Sequence, residues 1–470
     1  MPQTRGQLDD TLGAHLARRK SHGKFRKLSN TPANCVDFSS NGYLSLSTNP
    51  DVQQSLISRL QAEIATPKDW SDRLHSFRRS ILGSGGSRLL DGNSPLAESL
   101  EAKIAAFHNA EAALLFTSAY DANTGLLGCV PQPGDVVVYD ELIHASVHEG
   151  MRLSRATRRI PFSHDSVSDA YRRQNANSKV SQSSRQNKNQ GLSDVLEKLS
   201  KDSRILSGTT NVFICVEGLY SMDGDVVHLK EVVEEVDRHL PNGNGYIIVD
   251  EAHSVGVFGE NGRGLVCQLG LEDRVWARVL GFGKAMGCQG GVVLCSSVTR
   301  SYLINYARSL IYTTSMSFTA LASIDTVYNY LINGQSEPLR RHLEVLIYYT
   351  HRRLYELYTR LQPGRRILHV DENASRSPII PVFTASPRSL AEHCQTSGFM
   401  VRPIVAPTVP AGSERVRVCL HSANTTEQVD GLCHAIELWV RSQMTAAKSQ
   451  ERTKTTEATD SMVEQDKPRL

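Results

Sequence analysis

Short apolar runs alternate with amphipathic stretches along most of this chain. "DVVVYD" (135–140), "NVFICVEG" (211–218), "GYIIVDE" (245–251) and "GGVVLCS" (290–296) are rich in Val and Ile and bounded by Gly, Asp or Asn. That pattern predicts buried strands. "SPLAESLEAKIAAFHN" (94–109) places Leu96, Leu100, Ile104 and Phe107 on one face behind Ser94 and Pro95. The spacing predicts a helix with a serine cap and proline in its first turn. "HLKEVVEEVDRHL" (228–240) predicts a second amphipathic helix. Strands alternating with helices predict an α/β fold around a largely parallel sheet. Towards the C-terminus, "PIIPVF" (378–383), "FMVRPIV" (399–405) and "ERVRVCL" (414–420) predict a smaller α+β unit. The expected organisation is an arm and helix over 1–80, a large domain over 81–320 and a small domain over 321–445.

Two stretches break the pattern. Residues 171–194, rich in Gln, Asn, Ser and Lys, lack the apolar surface that offsets ordering entropy and predict a surface insertion. Residues 446–470 are polar and charged and predict a disordered tail.

Composition narrows the class. The 470 residues are 40% hydrophobic and 21% charged, ordinary for a globular chain. A net charge of +3 does not favour nucleic acid as a partner. Nine cysteines form no CxxC pair, and several, such as Cys215 and Cys295, sit in apolar runs. They predict buried thiols in a reducing compartment, with no metal site. No apolar run approaches the roughly 20 residues that span a bilayer, so no membrane partner is expected. No secretory signal is visible, and the last three residues, Pro468-Arg469-Leu470, resemble a peroxisomal address, with cytoplasm as the alternative.

Two glycine-bearing motifs fail on inspection. "GSGGSRLLDG" (83–92) has Arg88 where a dinucleotide fingerprint needs its third glycine. "IIVDEAHS" (247–254) resembles a helicase's magnesium-binding strand, but that chemistry needs a phosphate loop. The nearest candidate, "RVLGFGKA" (278–285), has Arg278 for the first glycine and Ala285 for the hydroxyl.

A different chemistry accommodates the same residues. Pyridoxal phosphate needs a lysine for its aldehyde and an acid for its ring nitrogen. Asp250 ends one predicted strand, and Lys284 follows the next, "WARVLGF". Ligands of open α/β sheets sit at such carboxyl ends.

Nine ordered stretches make the resemblance specific. They are "DFSSNGYLSLS" (37–47), "GSGGSRLLDGNSPLAESLE" (83–101), "LLFTSAYDANTGLL" (114–127), "DELIHASVHEG" (140–150), "VEGLYSMDGD" (216–225), "VDEAHSVGVFGENGRG" (249–264), "GFGKAMGCQGG" (281–291), "RSLIYTTSMS" (308–317) and "APTVPAGSERVRV" (406–418). In them the chain resembles the α-oxoamine synthases, pyridoxal-phosphate enzymes of fold type I. The resemblance implies a mostly parallel seven-stranded sheet and a smaller α+β domain. It implies that Lys284 binds the cofactor's aldehyde and later moves the substrate's α-proton. Asp250 would pair with the ring nitrogen, and His253 and Ser221 with the phenolic oxygen. His144 would stack on the ring, and Ser118, Ala119 and Tyr120 would open a helix onto the phosphate. Thr313 and Thr314 would reach the phosphate in the partner subunit of a homodimer, and Arg417 would hold the amino acid's carboxylate. Asn41 and Arg88 are further substrate-binding candidates. Read without the resemblance, His144, His253, Ser221, Arg417, Asn41 and Arg88 fit structural roles as well.

The implied reaction joins an amino acid to an acyl-CoA, with loss of carbon dioxide and coenzyme A. The length and "PTVPAGSERVRV" fit the branch that joins L-alanine to pimeloyl-CoA for biotin. Other acyl thioesters, and a non-catalytic family subunit, are the alternatives. Several positions depart from the family: Gly281 stands where a hydroxyl residue is usual, Ala119 for glycine, Gly42 for aspartate, Ser45 for glycine and Ser317 for proline. If only a hydroxyl is missing, Gly281→Thr should leave cofactor affinity equal or tighter.

Overall fold

A computed structural model describes residues 6–28, 30–32, 34–65, 81–164, 166–167, 190–373 and 376–465. The chain divides into two compact units, Met1–Cys35 and Val36–Leu470. The first carries one helix, Gln7–Ser21, with no buried residue. The second holds every element described below.

The strands of the described residues are β1 (Val36–Asp37), β2 (Ala112–Phe116), β3 (Val136–Asp140), β4 (Arg158–Phe162), β5 (Val212–Glu217), β6 (Gly245–Asp250), β7 (Ala277–Gly281), β8 (Gly291–Cys295), β9 (Ile379–Phe383), β10 (Phe399–Met400), β11 (Arg402–Ile404) and β12 (Arg415–Cys419). Seven form one sheet in the order β2-β8-β7-β6-β5-β3-β4. Pairing is parallel from β7 through β6, β5 and β3 to β4, while β8 runs antiparallel to both β2 and β7. The sheet is therefore mostly parallel, as expected. β2, β5, β7 and β8 are buried along their whole length. Covering both faces of a strand demands a near-continuous apolar run, which is what these sequences supply.

The two expected helices form as Pro95–Phe107 and Leu229–His239. The Ser94 side chain accepts from the Ala97 N–H, so the cap is the one the sequence announces. β9, β11 and β12 make the separate antiparallel sheet, and β1 pairs with β10. "FMVRPIV" is split between those two sheets as β10 and β11.

Two expectations need correction. Residues 171–189 lie outside the described residues, but the insertion ends earlier than 194: the helix Leu192–Leu199 begins there, with Leu192 fully buried. The tail is helical as far as Gln465, because the helix Thr426–Gln465, 40 residues in all, runs on into it. Its Ala, Glu, Lys and Gln content favours helix, and no glycine or proline interrupts it between Thr445 and Gln465. Pro468-Arg469-Leu470 lies outside the described residues. No helix of the described residues is long and apolar enough to cross a membrane.

Candidate active site

The sheet brings its acids and its lysine to one edge. Asp250, the last residue of β6, is in register with Glu217 at the end of β5 and with Val279 in β7. Lys284 follows β7 in a turn that Gly287 closes at φ 64°, its N–H bonded to the Lys284 carbonyl at 2.9 Å. A Cβ at Gly287 would meet the Ser47 N at 2.7 Å, so both the conformation and the space require glycine.

Asp250 is 6% exposed and accepts two hydrogen bonds, from the Ala252 N–H to Oδ1 at 2.9 Å and from Asn123 Nδ2 to Oδ2 at 2.7 Å. Burial lowers the proton affinity of Lys284; Asp250 and Glu217 oppose that, and Arg417 adds to it. Burial raises Glu217 well above the usual carboxylate range, and the Asp250 charge beside it raises it further. This end of the sheet thus holds an amine with a weakened hold on its proton beside a carboxyl with a strengthened one.

His253, three residues past Asp250, is 5% exposed, and its Nδ1 lies 2.8 Å from the Tyr43 hydroxyl. Burial pushes its proton affinity well down, with Lys284, Arg417 and His144 adding to the effect. His144 caps the helix Ala145–Leu153, its Nδ1 accepting from the Ser146 N–H at 3.2 Å, and its free face is exposed. Burial of the rest of the ring lowers its proton affinity too. A neutral ring can stack flat on an aromatic ligand.

Arg417, on β12, donates to the Ser221 carbonyl at 2.9 Å, to Asn41 Oδ1 at 3.1 Å and to the Ser39 carbonyl at 3.3 Å. Its Nε is buried without a partner among the described residues. These contacts place Asn41, Ser221 and Arg417 together, and the electrostatics link Arg417 to Lys284 and His253.

Ser118 caps the helix Ala119–Cys129, accepting from the Asp121 N–H at 3.0 Å. The first-turn N–H groups of Ala119 and Tyr120 precede the first intrahelical bond, from Ala122 to the Ser118 carbonyl, and suit an anion. Asp121 adds a carboxylate in that turn, held by the Thr117 and Ser118 hydroxyls at 2.5 and 2.7 Å.

Four residues singled out in the sequence have surroundings that the sequence does not show. Arg88 faces scaffold: its guanidinium binds Glu101 through two nitrogens, at 2.6 and 3.2 Å, and Asn93 through the third at 2.8 Å. Glu101 needs that charge because it is 3% exposed. Thr313 lines a small cavity of about 20 Å³ with Arg88, Thr117, Ser309 and Ser315 of its own chain, while Thr314 is exposed. Gly281 is not simply a missing hydroxyl. A Cβ there would meet Ala252 Cβ at 2.8 Å and Ala119 Cβ at 3.2 Å, so the methyl of Ala119 fills part of the space.

Asn123, Glu217, Tyr43 and Ser146 were not singled out by the sequence reading. Their one available signal was a polar residue inside an otherwise apolar or motif-bearing stretch, as Glu217 is in "NVFICVEG".

The family model for aminotransferase class I and II matches residues 33–436. The 8-amino-7-oxononanoate synthase of Emericella nidulans is 49% identical over 92% of this chain and 96% of its own. The aminoacyl transferase sphA of Aspergillus fumigatus is 36% identical over 84% of this chain and 79% of its own. Among solved structures, the serine palmitoyltransferase of Sphingomonas wittichii superposes with a TM-score of 0.70, at 23% identity, covering 94% of this chain and 98% of its own. At that identity the likeness speaks for the fold alone.

Proposed function

This chain belongs to the aminotransferase class I and II family of pyridoxal-phosphate enzymes, among its α-oxoamine synthases, and from that premise we propose that it joins L-alanine to pimeloyl-CoA. The products would be an α-amino ketone, coenzyme A and carbon dioxide. The chain is an acyltransferase of this family and its cofactor is pyridoxal 5′-phosphate.

The donor set fits that cofactor. It offers an amine with lowered proton affinity, a buried carboxylate held by two donors, a neutral histidine with one open face and a helix start with unmatched N–H groups. When bound, the cofactor supplies an aldehyde for the substrate's amine and a ring that accepts electrons from its α-carbon. Lys284 would hold the aldehyde at rest and afterwards take the α-proton on Nζ. Its weakened proton affinity favours the neutral amine that a base requires. Asp250, which accepts from the Ala252 N–H and Asn123, would hold a proton on the ring nitrogen. His253 and Ser221 would bind the phenolic oxygen, and His144 would cover one ring face. Arg417 and Asn41 would grip the amino acid's carboxylate, a task a planar guanidinium performs better than an ammonium.

The observation that carries the reading is the convergence of Lys284, Asp250, His253 and Arg417 from β7, β6 and β12 onto one buried cluster. Alanine and pimeloyl-CoA rest on the 49% identical relative. Coenzyme A release, measured over a panel of amino acids and acyl-CoAs, tests the choice. Release with alanine and pimeloyl-CoA, lost in Lys284→Ala, is expected. Release with another pair but not with this one would overturn the substrates. The sphA relative favours one second reading, a different amino acid and acyl donor, which the same panel would reveal.

The reading extends to a homodimer with shared sites. Leu82, Leu90 and Tyr312 are 88%, 76% and 72% exposed. The loop bearing the two leucines is tied to Ser315 through Ser84 Oγ and the Gly86 carbonyl. A second copy covering this apolar rim would bring Thr314 towards a neighbouring site.

A further inference from the structure

We propose that Asn123 and Ser146 are positioning residues, which through one directed chain of hydrogen bonds hold Asp250 as an acceptor and lock His144 in its Nε2–H form. The proposal rests on the family reading for what His144 and Asp250 touch. The chain itself rests on geometry.

The direction of each bond follows from its neighbour. Asp250 Oδ2 accepts at 2.7 Å, as Oδ1 does from the Ala252 N–H, so the Asn123 group facing it must donate. Asn123 therefore turns its NH₂ towards Asp250; the flipped amide would set a carbonyl oxygen against the carboxylate. That orientation leaves Asn123 Oδ1 buried without a partner among the described residues, the loss the Asp250 contact imposes. The same Nδ2 lies 2.9 Å from Ser146 Oγ, which must accept. The single Ser146 hydroxyl proton then goes to His144 Nδ1, 2.8 Å away. The Ser146 N–H adds a second donor to that nitrogen at 3.2 Å. Nδ1 carries no proton, and the remaining ring proton sits on Nε2. Asn123, Ser146 and Asp250 are 1%, 0% and 6% exposed, so water does not compete for the bonds among these three.

Protonating His144 would put a hydrogen on Nδ1, displace both Ser146 donors from that nitrogen and leave the Ser146 hydroxyl proton without its acceptor. Burial already disfavours the charged ring, as do Lys284 and His148, while Asp250 favours it. His253 senses His144, and Glu217 accepts the His144 backbone N–H. The Tyr120 ring stands edge-on at 6.4 Å. The chain therefore couples the residue that covers the ring face to the residue that holds the ring nitrogen's proton.

The test is nitrogen NMR of the full-length protein with ¹⁵N-labelled histidine, with His144→Gln to assign the signal. Wild type should show His144 as Nε2–H alone at neutral pH. Ser146→Ala should mix the tautomers and raise the protonation midpoint by about half to one pH unit, the worth of one hydrogen bond. Ser146→Thr should restore both. Asn123→Leu should also mix them, and should move the pH at which the bound cofactor's visible absorbance changes. Should Asn123→Leu fail to fold, the Ser146 pair decides alone. His144 found as Nδ1–H, or tautomer and midpoint unmoved in Ser146→Ala, would overturn the chain. A protein that binds no pyridoxal phosphate yet shows these histidine shifts would keep the chain and overturn the family reading of the site.

Discussion

Lys284 and Asp250 were legible from sequence because each sits at the end of a strong apolar run, where a charge has no structural reason to be. Gly281 was legible only in part. Its identity is in the sequence, but the Ala119 and Ala252 methyls that crowd it are 162 and 29 positions away, and no local pattern reports them. Gly281→Thr should therefore weaken the fold by about 1–3 kcal/mol, as overpacking does, instead of simply returning a hydroxyl. Adding Ala119→Gly should recover only part of that loss, since it removes the 3.2 Å contact and leaves the closer one, with the Ala252 methyl at 2.8 Å. The midpoint of thermal denaturation of both variants checks this, and an unchanged midpoint for Gly281→Thr would remove the steric argument. Lys284 carries a second prediction. Its proton affinity is lowered, so the neutral amine prevails at a lower pH than for ordinary lysine, whose value is about 10.4. The kcat profile, which reports the substrate complex, should rise with pH along an acid limb whose midpoint lies below that value. A midpoint at or above it would mean that burial is not what tunes the lysine.

At the scale of elements, the apolar strands and the capped helices were readable, and the polar ones were not. β4, "RRIPF", carries two arginines and a proline and did not read as a strand. It forms because it is the outermost strand of the order, where a missing N–H costs no ladder bond. The antiparallel sense of β8 was also hidden, since direction is a property of the connection and not of the strand. Helices are joined by charge as well as by packing. Asp325, in the helix Phe318–Ile332, pairs with Arg59 of the helix Pro50–Ala65 and Lys103 of the helix Pro95–Phe107. Burial raises the proton affinity of Asp325, but hydrogen bonds from Lys103 and Arg59 outweigh it and hold the carboxyl below its ordinary value. A depressed carboxyl contributes stability above its unfolded value, about 3.9, and loses it as pH falls through the folded one. Asp325→Asn should cost about 1–2 kcal/mol at neutral pH, limited because both cations keep partial contact with water. Denaturation at pH 7 measures the loss, and the gap between wild type and variant should shrink as the pH falls below 4, because only the wild type has this carboxyl to protonate.

On the scale of the whole molecule, the sequence indicated the fold type through its ordered motifs, but not how the site's parts converge. Arg88 shows the limit: a charged residue in a glycine-rich loop reads as substrate-binding, and only the fold reveals Glu101 waiting beneath it. The proposed homodimer makes a prediction at this scale. Lys284→Ala and Thr314→Ala chains, each impaired as homodimers, should regain activity when refolded together, because one mixed site then has both residues. Activity that stays at the average of the two parents would show that each site is complete within one chain. One contact described above also bears on how the molecule is made. Asn41 and Arg417, which meet in the site at 3.1 Å, lie 376 positions apart. At a synthesis rate of about 5–20 residues per second, the first waits roughly 20–75 s for the second to leave the ribosome. Through that interval Asn41 stands without the arginine that it meets in the finished site, so this part of the site forms only after nearly the whole chain has been made.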